Sequence, residues 1–211
     1  MNTLDSRSLA IGDCFAVKFT VPGAFHHIMS LGAYAPPTVS RDSGFSITVS
    51  AKRDPAAPAR QYNLLVKKVG SELVPDTADL AIEVADTVLW HTTDPAAAGF
   101  SVAGSGENFA FSSQRLRSEA IYTHAFGLPG TFEWIDPLAR SVSGAVVVNP
   151  IAPKTDKDRQ AWLNLLSQGA AFEIRGGKAT PAKVEIVVGQ TVYWKVWDGD
   201  GLAIVDRRLL G

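Results

Sequence analysis

Four histidines, one cysteine and the internal methionine Met29 are the residues best suited to holding a soft metal ion. His26, His27 and Met29 follow Pro22-Gly23 directly. Successive side chains of a strand point to opposite faces, so His26 and His27 cannot easily share one ion. His27 and Met29 share a face, and an imidazole with a thioether suits copper(I). Packing or hydrogen bonding inside the fold is the commoner role for such a pair. Cys14 is the single cysteine, which excludes a disulfide within the chain and any multi-thiolate zinc site. Its alternating surroundings, Cys14 to Phe19, predict a buried, inert thiol.

The remaining candidates for chemistry are sparse. Glu133 and Asp136 are spaced to form a carboxylate pair, but nothing in the pattern puts them in a cleft, and Asp136-Pro137 reads as a turn. Asp198-Gly199-Asp200-Gly201 starts like a calcium loop and lacks the spaced acids that would complete it, so it reads as a hairpin turn. Asp13, Asp86 and Glu185 are expected in turns or on exposed faces. Gly104-Ser105-Gly106 is expected in a loop. There is no Gly-x-Ser-x-Gly, His-Glu-x-x-His or phosphate loop. No catalytic residue is assigned, and the expectation leans away from an enzyme.

The elements that must position these residues are short. Runs rich in Val, Ile, Phe and Trp, such as Phe45 to Val49, Leu80 to Val84, Thr87 to Trp90 and Ile121 to Phe126, are broken by Gly, Pro, Asp and Ser. Such spacing predicts an all-β chain of antiparallel sandwich type. One helix is predicted over about 155–168, with Thr155 as N-cap, Ala161, Trp162, Leu165 and Leu166 on one face, and Gly169 as the stop. A loose stretch at Asp54 to Ala59 separates two structural units. With 211 residues the chain can bury a core without staples. The net charge of −1 offers no global field for nucleic acid or an anionic membrane, and Lys67-Lys68 and Arg207-Arg208 read as solvated strand ends. Met1 to Ala10 lacks an apolar stretch of the kind found in signal peptides, which predicts a cytoplasmic protein.

The chain repeats itself. Phe19-Thr20-Val21-Pro22-Gly23-Ala24-Phe25 returns as Phe126-Gly127-Leu128-Pro129-Gly130-Thr131-Phe132, and Leu80 to Trp90 returns as Val184 to Trp194. In order, a second half comes first, a complete unit follows over 60–150, and a first half closes the chain. A half sandwich exposes sheet edges and an apolar face, so each orphan must find a complement. This predicts two domains, one over 60–150 and one split between 1–52 and 170–211, joined by the helical linker 151–169. Exchange of halves between subunits, giving a homo-oligomer, is the alternative.

The ordered motifs Val84-Ala85-Asp86-Thr87-Val88-Leu89-Trp90, Tyr122 to Phe126, Pro129-Gly130-Thr131-Phe132-Glu133-Trp134 and Gly144 to Val148 resemble the cupredoxin family. The resemblance implies two Greek-key β-sandwiches, the flanking one circularly permuted. In that family a blue-copper ion is held by two histidines, a cysteine and a weak methionine. The windows for the first histidine hold Ala98-Gly99-Phe100 and Gly201-Leu202, and the cysteine positions hold Asp136 and Met29. The resemblance therefore implies a cupredoxin-like binding or assembly module with no type 1 copper and no cofactor, acting through a protein partner or self-association. Copper held by His27 and Met29, or by His91 and His124 if the family topology sets them on neighbouring strands, is the second expectation. An enzyme with its site between the domains is the third.

Overall fold

The computed structural model describes residues 3–32, 39, 44–51, 56–199 and 201–211. Half of the chain is strand and only 8% is helical, in three sheets. The first half of the repeat contains β1 (Asp13–Lys18), β2 (Gly23–Leu31), β3 (Ser46–Ser50), β4 (Gln61–Val69), β5 (Glu72–Pro75), β6 (Asp79–Glu83), β7 (Thr87–His91), β8 (Phe100–Ser105) and β9 (Ala110–Ser112). The second half contains β10 (Ala120–Ala125), β11 (Gly130–Ile135), β12 (Ser143–Asn149), α1 (Asp156–Leu166), β13 (Ala170–Arg175), β14 (Lys178–Thr180), β15 (Lys183–Val187), β16 (Thr191–Val196) and β17 (Val205–Asp206).

An eight-stranded sheet, β14-β13-β16-β10-β1-β7-β4-β5, runs through the whole molecule. A five-stranded sheet, β6-β3-β2-β8-β9, covers one half of its inner face, and a four-stranded sheet, β15-β12-β11-β17, covers the other. The order β5-β4-β7-β1 over β6-β3-β2-β8 recurs as β14-β13-β16-β10 over β15-β12-β11-β17. In both halves one pair in each layer is parallel: β4 with β7 and β3 with β6, then β13 with β16 and β12 with β15. The strands alternate buried and solvated residues, as β11 and β15 do, which is what a sheet with one dry face requires. Rings fill each layer gap: Phe19 meets Phe25 and Phe111, and Trp134 meets Phe172 and Trp194. The two Pro-Gly corners have the same backbone, with Gly23 at φ 145° and Gly130 at φ 146°, a region closed to side-chain-bearing residues.

The repeat is real, but its halves pair differently from the split arrangement. β3 pairs with β6 and β2 with β8, so residues 13–112 close on themselves. β12 pairs with β15 and β11 with β17, so residues 120–206 do likewise. Neither a sandwich over 60–150 nor one built from 1–52 plus 170–211 forms. Each orphan half takes the complement nearest in sequence, which closes a far shorter loop and costs less chain entropy. The chain ends still meet: Ser6 N–H donates to Ile204 O at 2.9 Å, and Asp206 N–H donates to Leu4 O at 2.7 Å. The helix forms where expected, with Thr155 and Asp158 making a reciprocal capping box. Of the loose stretch at 54–59, Asp54 and Pro55 lie outside the described residues, as does Asp200 of the expected hairpin turn.

Candidate functional site

His27 and Met29 do share the inner face of β2, as the two-residue period requires. Yet His27 is fully buried, its ring 5.5 Å from Trp90 and 5.8 Å from Phe45 between centroids. Neither ring nitrogen has a hydrogen-bond partner among the described residues. Burial, with a smaller push from the neighbouring His26, lowers its pKa to about 4, so the ring is neutral at physiological pH. Chemically it is a core residue: the same place in the second half of the repeat is taken by Trp134, also buried.

His91 and His124 are not brought together. β1 lies between their strands, with His91 opposite Cys14 and His124 opposite Asp13. Adjacent positions of β1 face opposite sides, so the two imidazoles occupy opposite faces of the sheet. No group of three or more His, Cys, Asp or Glu side chains with metal-holding geometry exists among the described residues.

His124 has another partner. Its Nδ1 is joined to Asp13 Oδ1 by a 2.5 Å hydrogen bond across the β1–β10 pairing, and Asp13 Oδ2 accepts the Ala10 N–H at 2.8 Å. Burial drives the Asp13 pKa upward, and the bond from His124 opposes it. Burial and the Asp13 charge push the Tyr122 hydroxyl well above its usual range. His124 Nε2 is buried against the Phe126 ring, at 4.6 Å between centroids, with no hydrogen-bond partner among the described residues. The pair ties the two halves together at their seam. Asp13 and Asp86 were expected in turns or on exposed faces; both follow turns, and both are buried. Asp86 accepts N–H bonds from Arg60 at 2.8 Å and Glu83 at 3.0 Å. Only a carboxylate beside a turn hints at this in sequence. Cys14 is half-buried rather than buried, and desolvation raises its thiol pKa.

Glu133 and Asp136 do not form a pair. Glu133 is exposed and bonded to Arg207 at 3.3 Å. Asp136 is buried and accepts backbone N–H groups from Leu138 at 3.3 Å, Ala139 at 3.0 Å and Ala203 at 3.2 Å. Its carboxylate thus caps its own turn and holds the 201–204 segment beside it.

A pocket of about 170 Å³ opens on the outer face of β8 and β9. Ala103, Ser105, Ala110 and Ser112 lie beneath it, and Gln114, Arg115 and Arg117 stand around it. Gly104 and Ser105 belong to β8 and not to a loop. Gly104 is needed there because a Cβ would fall 2.1 Å from the Phe111 ring on the inner face. A wider groove of about 620 Å³ adjoins, between the first Pro-Gly corner and residues 105–108. No family model, curated protein or solved structure matches this chain.

Proposed function

We propose that the chain is a cupredoxin-like double sandwich that serves as a binding or assembly module and carries no electron-transfer copper. One observation carries the reading: at the position where the resemblance requires a metal-binding thiolate, Asp136 is buried and its carboxylate is spent on three backbone N–H groups. The matching position in the first half is Met29, and Val102 lies opposite it across β2 and β8. A type 1 site needs one thiolate and two imidazoles converging on an open coordination position. The residues present do not fit that ion. The strand order, with its parallel pair in each layer, supports the cupredoxin-like part of the reading. A domain whose metal pocket is closed by structure retains its surfaces, which points to recognition.

The test is a copper(II) titration of the purified protein followed by visible absorption and metal analysis, alongside the Asp136→Cys variant. No intense thiolate-to-copper band is expected in the parent. Such a band in the parent, or copper retained there after dialysis against a chelator, would overturn the proposal.

A further inference from the structure

The geometry points to a binding site for a small, flat carboxylate with an apolar body in the pocket over β8 and β9. Because Val102 and Phe111 face the core, their neighbours Ala103, Ser105, Ala110 and Ser112 face outward and form the pocket floor. None of the four is larger than serine, so the sheet has a depression where longer side chains would otherwise stand. At about 170 Å³ it is close to the size of a cavity known to accept one benzene ring, about 150 Å³.

The rim supplies donors without matching acceptors. Gln114 Nε2 is buried and has no hydrogen-bond partner among the described residues. Neither Arg115 nor Arg117 forms an ion pair among the described residues. Leu116, between them, is fixed by backbone bonds in both directions with Leu202, at 2.7 Å and 3.0 Å. Both arginines therefore project from a tethered segment and not from a free loop. Gly201 allows the close approach: a Cβ there would lie 3.1 Å from Arg115 Cβ and 3.3 Å from its Nε.

An amide N–H and two guanidinium forks match a planar carboxylate, which a guanidinium can grip with two parallel bonds. An acceptor placed there also relieves the cost of the unpaired buried amide. A compact anion would satisfy the arginines and leave the Ala103 and Ala110 floor wet. A neutral ring would cover the floor and leave the donors unpaired. A monocarboxylate on a ring satisfies both. This site is separate from Asp136 and does not depend on the absence of copper.

The experiment is amide NMR of the full chain titrated with benzoate, benzyl alcohol and inorganic phosphate. Benzoate is expected to move the amides of residues 103–105 and 110–117, and to bind at least tenfold more tightly than the other two probes. Arg115→Ala combined with Arg117→Ala removes two exposed side chains, so the melting temperature should hold while benzoate affinity drops at least tenfold. Gln114→Leu should weaken benzoate severalfold. Benzyl alcohol binding as tightly as benzoate, or unchanged benzoate affinity in the folded double variant, would overturn the carboxylate assignment. No shift at these amides with any probe would overturn the site itself.

Discussion

Lowering the pH below neutrality should destabilise this protein through His27. The folded ring resists protonation down to about pH 4, whereas in the unfolded chain it titrates near its ordinary value of 6.5. Below about pH 6.5 the unfolded state therefore takes up a proton that the folded state refuses, and stability falls as the pH falls. The loss develops between those two values and levels off beneath the lower one. Linkage gives about 2 kcal/mol lost between pH 7 and pH 5, and about 3 kcal/mol once both limits are passed. His27→Leu removes the titrating group and two nitrogens that have no hydrogen-bond partner among the described residues, at little change in volume. Urea denaturation at pH 7 and pH 5, followed by tryptophan fluorescence, measures the difference directly, since Trp90 lies against the ring. The parent should lose about 2 kcal/mol more than the variant over this interval. Other titrating groups are common to both proteins and cancel. Asp13, whose carboxyl is pushed upward by burial, acts with the opposite sign, because a raised acid gains stability as pH falls. Equal losses in parent and variant would show that His27 reaches solvent or a hydrogen-bond partner in the folded state, and the reasoning would fail.

Two further substitutions probe the packing. Asp136→Ala strips three backbone N–H groups of their acceptor, one of them the buried Ala203 amide, and should cost about 3 kcal/mol by urea denaturation; a cost under about 1 kcal/mol would mean that the carboxylate is not needed to hold the turn. Gly104→Ala places a methyl 2.1 Å from a ring that Trp90 and Phe19 hold from behind, so about 2 kcal/mol of overpacking and a melting temperature lower by roughly 4–8 °C are expected; an unshifted melt would show that Phe111 has room to move.

The all-β class, the helix and its cap, and the repeated Pro-Gly corners are legible in the sequence because each rests on local chemistry. Period-two patterning, Thr155 with Asp158, and a glycine at φ near 145° need only a few neighbouring residues. Which half pairs with which is not local. Each half presents the same kind of apolar face, and the choice is made by the length of the loop to be closed. Repeats alone leave two or more pairings open. The same limit explains the sites. His27 and Met29 could be placed on one face, but the density of rings around His27 comes from β7 and the segment before β3. The pocket over β8 and β9 is not legible in the sequence: Gly104-Ser105-Gly106 reads as a loop, small outward residues carry no motif, and Arg115 and Arg117 acquire meaning only beside Gly201 from the other half.

The seam accounts for the most unusual polar residues in the core. If the two sandwiches separated, β1 and β10 would each become an open edge, a template for pairing with other chains. Joined, they continue one sheet from β14 to β5 and no edge remains between the halves. Apolar residues alone would let β1 slip against β10, since Phe15, Val17, Ala120 and Tyr122 offer similar surfaces at either register. The Asp13–His124 bond, in register and out of water, is made at one alignment only; a two-residue shift breaks it and leaves Asp13 only its local bond from the Ala10 N–H. A buried polar pair is a costly way to gain stability and an effective way to exclude alternatives. This explains why the pair has no counterpart elsewhere in the repeat: the equivalent places are Ala120 and Val17, which face the same seam but have no register left to specify.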